Sequence, residues 1–205
     1  NKPYQDRVVE QQRRRAADYM DLRLYSSAVA TLDSLTRLRP NDSDLFEYLA
    51  DAHRGAGNVD AAIKAYEQAI RLNYGAYAPH MKLGTLLMEN GKTGRALTEF
   101  ELAVKASDRD VLARYNYGVA LYETGRHDEA LSQWAMAAEI DPANLRVTEA
   151  LAMGYSGVND STAAHYFELA DTLGAASATF HNNYALLLDR TGRAGGVADQ
   201  RLHHL

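Results

Sequence analysis

The octapeptide ALTEFELA at residues 96–103 has the outline of AIKAYEQA at 62–69 and ALSQWAMA at 130–137: an alanine, an aromatic residue four places on, and a second alanine three beyond it. Tyr66, Phe100 and Trp134 are thus thirty-four residues apart, and one more step back from Ala62 lands on Ala28, followed by Leu32 and Leu35. Spacings of four and three put the alanines and the ring on one face of a helix. A fixed period of this length marks a chain that stacks one small unit on the next, each covering an apolar face its neighbour cannot cover alone.

The residues before each octapeptide supply a second helix. Leu83, Gly84 and Leu87 share one face, Asn90-Gly91-Lys92 breaks the pattern, and Ala96 resumes it. Tyr117-Gly118, Leu121 and Gly125 repeat this ahead of Ala130, and Asp141-Pro142 closes the unit, since proline cannot continue a helix. Gly84 and Gly118, with Ala16, Ala50, Ala152 and Ala185 at the equivalent places, stand where the first helix of a pair must approach the second.

This pattern resembles the tetratricopeptide repeat family. The resemblance implies an all-α, right-handed superhelical solenoid of antiparallel helix pairs, elongated and forming a single domain over 1–205, with repeats at 9–42, 43–76, 77–110, 111–144 and 145–177 and a degenerate sixth at 178–205. The alanine opening the second-helix motif matches four times (Ala28, Ala62, Ala96, Ala130), whereas the closing proline is present only at Pro40 and Pro142. A fifth unit carries Ala152 and Tyr155, then Ala163, Phe167 and Ala170, with a turn one residue short at Gly157-Val158-Asn159. The sixth opens with Tyr184-Ala185, Leu188 and Gly192, but Gly195-Gly196 follow, and glycine costs about 1 kcal/mol against alanine inside a helix. Residues 194–205 are therefore expected to be frayed, truncated or a solvated cap.

Composition narrows the function. The net charge of −5 argues against a general nucleic-acid binder, which needs clustered positive charge, and no apolar run approaches the length of a membrane span. There is no cysteine, hence no disulfide, thiolate nucleophile or cysteine-bound metal. The chain opens at Asn1 without an initiator methionine or signal sequence, as a trimmed fragment would, leaving cytoplasmic, periplasmic and envelope settings open.

Candidate chemical motifs are weak. Gly91-Lys92-Thr93 resembles the tail of a phosphate loop, but Leu86 stands where the loop's first glycine belongs, and a helix precedes it instead of a strand. The histidines form no H-E-x-x-H pair; His80 and His181 occupy equivalent repeat positions, which suggests packing or helix surface, and His203-His204 could hold a metal only weakly. Asn41-Asp42-Ser43 and Asn159-Asp160-Ser161 read as glycosylation sequons, yet both precede a helix, where such residues cap free N–H groups. No nucleophile, base and orienting acid can be grouped. The expectation is a protein without enzymatic activity and without cofactor or metal.

The family's ligands lie along the first helix of each repeat. Carried onto this sequence, that implies a partner-binding groove of Met81, Lys82, Thr85, Met88, Leu112, Tyr115, Asn116, Val119, Tyr122 and Met153, with Arg146, Glu149 and Ser156 beside it. A secondary, charged end comprises Arg13, Arg14, Asp44, Glu47, Tyr48 and Asp51, with Glu10, Ala17, Met20, Asp21 and Arg54 around them. Methionine and tyrosine adapt to varied partners, so Met81, Met88, Tyr115, Val119, Tyr122 and Met153 are expected to form one apolar strip. One branch of the family clamps a terminal carboxylate, but Arg13, Ala17, Tyr48, Ala78 and Lys82 here keep only the basic ends of that clamp. Another grips a peptide backbone with an asparagine ladder; Asn116 and Asn183 fit, while Arg14, Tyr48, Lys82 and Ala150 do not. The run Arg13-Arg14-Arg15 reads as a solvated helix face balanced by Glu10, Asp18 and Asp21.

The resemblance thus implies an adaptor or assembly scaffold that holds a peptide or helix of a partner protein; similar proteins include bacterial pilus and envelope lipoproteins and cytoplasmic scaffolds. The alternatives are a structural protein that self-associates weakly through its terminal helices and a docking or regulatory part of a larger enzyme.

Overall fold

A computed structural model describes residues 2–193. The Gly195-Gly196 and His203-His204 pairs, and the second half of the sixth repeat, lie outside the described residues. Among the described residues every regular element is an α-helix: α1 (Lys2–Asp21), α2 (Tyr25–Leu38), α3 (Ser43–Gly55), α4 (Val59–Leu72), α5 (Tyr77–Glu89), α6 (Thr93–Ala106), α7 (Val111–Glu123), α8 (His127–Ile140), α9 (Leu145–Tyr155), α10 (Asp160–Thr172) and α11 (Ala178–Arg190). The protein is an all-α solenoid of helix pairs. The chain divides into two compact units between Ser107 and Asp108, and in each one every helix packs on its neighbour in sequence, α1 through α6 in the first and α7 through α11 in the second.

The recurring alanines and rings make the core. Ala28, Ala62, Ala96, Ala130 and Ala163 are all buried, as are Tyr66, Phe100, Trp134 and Phe167. A Cβ at Gly84 would fall 2.7 Å from Cε1 of Phe100, and one at Gly118 would collide with the Trp134 indole. The same indole lies against Gly154 of α9, where a Cβ would sit 3.1 Å from its Cζ3. Trp134 therefore sets how closely α7 approaches α8, and at Gly154 Leu131, whose Cδ2 is 2.7 Å from such a Cβ, joins it in limiting α9. Ala16, Ala50 and Ala152 are buried in the corresponding places, but Ala185, in the last described helix, is exposed.

Turn chemistry explains where helices stop. Gly57, Gly91 and Gly125 take φ of 77°, 69° and 81°, the left-handed region that ends a helix. At Gly91 the Lys92 N–H returns to the Leu87 carbonyl at 2.8 Å and the Gly91 N–H to Met88 at 3.0 Å, so the three residues that resemble a phosphate loop are the turn from the end of α5 into the first residue of α6. In the first repeat the same place is held by Arg23 at φ 56°. The turn of the fifth repeat is not the short element expected: α9 has 11 residues against 13 for α3, α5 and α7, and the segment joining it to α10 is one residue longer than the one joining α7 to α8. Both sequon segments cap helices: Asp42 accepts the Leu45 N–H, and in the second Asn159 itself accepts the Thr162 N–H.

α1 differs from its expected extent. It begins at Lys2, ahead of the repeat boundary at residue 9, and its basic run is not simply solvated. Arg13 is half-buried and ion-paired to Asp42, Arg14 reaches Glu10 at 3.4 Å, and Arg15 donates to the Tyr19 hydroxyl at 2.9 Å.

Candidate partner-binding site

The second unit carries a cleft of about 620 Å³ between the first helices of its pairs. Tyr115, Val119 and Tyr122 of α7, Met153 of α9, and Asn183 and Leu186 of α11 form its walls, over a floor of Trp134 and Phe167. Three of the apolar wall residues are open to solvent: Tyr122 is 40 % exposed, Met153 45 % and Leu186 66 %. Side chains of this size expose themselves along helical spacings when the neighbouring repeat supplies no cover, whereas the faces turned toward α8 and α10 are closed by Trp134 and Phe167.

Its aromatic wall is held from below. The Trp134 Nε1–H donates to the Tyr115 carbonyl at 3.1 Å, and the Tyr122 ring lies 5.7 Å from the Trp134 ring and edge-on to His127 at 4.4 Å. Phe167 stacks on Tyr184 at 5.1 Å, tying α10 to α11. Burial raises the Tyr115 phenol above its ordinary pKa, the Arg146 guanidinium opposing that rise and the Glu149 carboxylate adding to it. At the far end Arg190 is engaged by Asp160, its Nη2 2.5 Å and its Nε 3.0 Å from the carboxylate.

Tyr115, Val119, Tyr122 and Met153 are thus brought to one cleft. Leu112 is exposed near the start of α7, and Asn116 is half-buried outside the cleft's lining. Leu186 and Arg190 were missing from the sequence-derived groove, although the same first-helix spacing, extended into α11 from its start at Ala178, reaches both.

The first unit behaves differently. Met81 is 7 % exposed and belongs to the core, Thr85 spends its hydroxyl on the Met81 carbonyl at 2.9 Å, and Met88 is half-buried. Lys82 bridges α5 to α3, its Nζ 2.7 Å from Glu47 and 2.7 Å from Asp51, and Asp51 also accepts the buried Tyr66 hydroxyl. Burial disfavours the Lys82 ammonium, but the bonds to Asp51 and Glu47 outweigh it and raise its pKa; the Tyr66 phenol is pushed up by burial and by Asp51. Arg54 meets Glu89 at 2.7 Å on the same side. The charges read as a groove end are therefore largely committed to neighbouring side chains, Arg13 to Asp42, Arg14 to Glu10, and Glu47 and Asp51 to Lys82, while Asp44 and Tyr48 remain exposed. Around Tyr48 a smaller cleft of about 280 Å³ is lined by Glu10, Arg13, Arg14, Ala17 and Met20.

His80 is also a structural group. Buried at 1 % exposure, it faces Glu99 through Nδ1 at 2.8 Å and the Tyr74 carbonyl through Nε2 at 2.9 Å. Burial alone would lower its pKa, but the two acceptors outweigh this and raise it. His181, at the equivalent place, is exposed against the edge of Phe180.

Comparison with known proteins agrees with this architecture. A family model described as tetratricopeptide repeat matches residues 13–77 and 81–144, more than half of the chain. The human Superkiller complex protein 3 is 27 % identical over 105 residues, which is 51 % of this chain but only 7 % of that protein. A tetratricopeptide repeat protein from Parabacteroides merdae ATCC 43184 superposes with a TM-score of 0.79 at 18 % identity, over 94 % of this chain and 77 % of its own. YrrB, described as a TPR protein with an unusual peptide-binding site, gives 0.70 at 22 % identity, over 86 % of this chain and 88 % of its own.

Proposed function

Because the chain belongs to the tetratricopeptide repeat family, we propose that it acts as a non-enzymatic adaptor that holds a peptide segment of a partner protein in the α7–α9–α11 cleft. Repeats of this kind are protein-interaction scaffolds. The observation that carries the placement is the coincidence of a cleft of about 620 Å³ with exposed Tyr122, Met153 and Leu186 in its wall. Large apolar side chains that stay open while their neighbours pack mark a surface awaiting cover. Aromatic anchors backed by a rigid floor are the kind of group that concentrates binding energy.

The likeness to YrrB, described as having an unusual peptide-binding site, lends further support at the level of the fold. The first unit plays the smaller part in this reading, since Lys82, Glu47 and Asp51 satisfy one another. The test is a selection of short peptides against the whole chain, with Leu186→Asp and Tyr122→Ala as competitors. Peptides that bind these variants as well as they bind the parent, with melting temperatures unchanged, would remove the cleft from consideration.

A further inference from the structure

Tyr115 divides two compartments. On its other side a second cleft, about 670 Å³, is walled by Leu112, Leu145 and Tyr115 itself, with Arg109 and Arg146 at its rim. Both arginines are exposed. Three other arginines of this unit are engaged: Arg114 donates to the Asp108 carbonyl and Gln133, Arg126 meets Glu129 at 2.6 Å, and Arg190 meets Asp160. Among the described residues no carboxylate lies within ion-pair distance of Arg109 or Arg146.

Asp110 and Asn144 line the same cleft, and each holds a helix N-terminus rather than an arginine. Asp110 caps α7 by accepting the Ala113 N–H at 2.7 Å, and Asn144 caps α9 through the Val147 N–H while donating to Asp141. Glu149 acts on the same phenol as Arg146 but forms no ion pair with it. The first turns of α7 and α9 border this compartment; the Asp110 carboxylate offsets the positive end of α7, while the uncharged cap Asn144 leaves that of α9 to add to the two guanidinium groups.

We propose that this compartment receives an aspartate or glutamate side chain of the same partner segment whose apolar side chains enter the Tyr122–Met153–Leu186 cleft. The proposal rests on the groove reading above and deepens it by naming the partner's chemistry. Two forked guanidinium groups match a carboxylate's paired oxygens, and the leucine walls reduce the competition from water. Tyr115 is common to both clefts, so the acidic residue stands at a fixed offset from the apolar anchors. The segment then lies with its acidic position at the starts of α7 and α9 and its apolar positions toward their ends.

The experiment uses an array of random short peptides with amidated C-termini, probed with the whole chain, with an Arg109→Ala/Arg146→Ala variant and with Leu186→Asp. The expected result is that the parent selects peptides pairing an aromatic or aliphatic residue with Asp or Glu at one offset. Replacing that acid by its amide should weaken binding about tenfold, a salt-sensitive loss, and the double variant should bind the acid and amide forms alike. Selected peptides that Leu186→Asp abolishes but that show no acidic preference overturn the acid compartment and leave the groove standing. Binding that appears only when the same peptides are remade with a free C-terminal carboxylate likewise overturns the side-chain assignment. Peptides indifferent to Leu186→Asp overturn the groove reading and this one with it. Melting curves of the double variant, altered only at exposed positions, guard against a folding artefact.

Discussion

Arg114 repeats, thirty-four residues on, the two bonds that His80 makes. His80 reaches Glu99 nineteen residues ahead and the carbonyl of Tyr74 six behind; Arg114 reaches Gln133 and the carbonyl of Asp108 at the same separations. Each ties the first helix of its pair to the second and to the preceding loop. Arg114 brings donors at every pH, whereas His80 can donate to both acceptors only as an imidazolium. The raised His80 pKa is the thermodynamic expression of that requirement.

This gives a signed pH dependence. A folded-state pKa above the ordinary 6.5 means that the contribution of His80 is fully present below pH 6.5 and is lost as pH rises through the folded value. His53, whose pKa burial lowers, acts in the opposite sense and destabilises on acidification. Thermal melts of the parent and His80→Gln across this range should therefore differ most at low pH, by about 1.5–3 kcal/mol for a charge-assisted bond, and converge at alkaline pH. A constant difference would refute the imidazolium.

Gly118→Ala places a methyl group against the Trp134 indole and should destabilise by about 1–3 kcal/mol, as overpacking does. Trp134→Phe in the same chain recreates the combination of Ala152 with Phe167 one repeat later and should recover part of that loss. A double-mutant cycle by chemical denaturation reads the coupling directly; additive effects would show that the indole does not set the spacing.

Arg23 holds a left-handed conformation where the following repeats use Gly57, Gly91 and Gly125. A side chain there carries a steric cost that glycine avoids, partly offset by the greater freedom glycine gains when unfolded. Arg23→Gly should stabilise the chain by about 0.5–1 kcal/mol in denaturant titration.

Lys82→Ala separates structure from binding. Removing the ammonium leaves Glu47 and Asp51 facing each other beside the Tyr66 hydroxyl, so stability should fall by about 1 kcal/mol, since the group is partly solvated. The affinity of peptides selected on the second-unit cleft should stay within severalfold. Leu186→Ala and Tyr122→Ala should do the reverse, weakening those peptides about tenfold or more while leaving the melting temperature nearly unchanged. Calorimetry and melting curves on the same samples distinguish the two patterns.

Several helix borders were legible because two local signals coincide there. Gly91 and Gly125 fall where the apolar spacing breaks, and Asp42 and Asn144 stand one residue before it resumes, so backbone geometry and side-chain pattern agree. The extent of α1 was not legible, because its first turns precede the repeat motif and carry no periodic apolar mark. The cleft was legible in part. First-helix spacing identified Tyr115, Val119, Tyr122 and Met153, and Leu186 would have followed had the same register been carried into α11.

The sequence by itself determined the period, the pairing of helices and the identity of the core rings, since each follows from contacts within one repeat whose spacing along the chain is constant. Only the tertiary structure decided which first-helix side chains remain available. Lys82 is taken up by residues thirty-one and thirty-five positions away, Arg13 by one twenty-nine away, and Met81 by burial, while Arg109 and Arg146 meet no carboxylate among the described residues. Helical period fixes the face on which a side chain starts. Whether a partner on the next helix meets it depends on side-chain reach and charge across the gap, which no periodicity within a single repeat encodes.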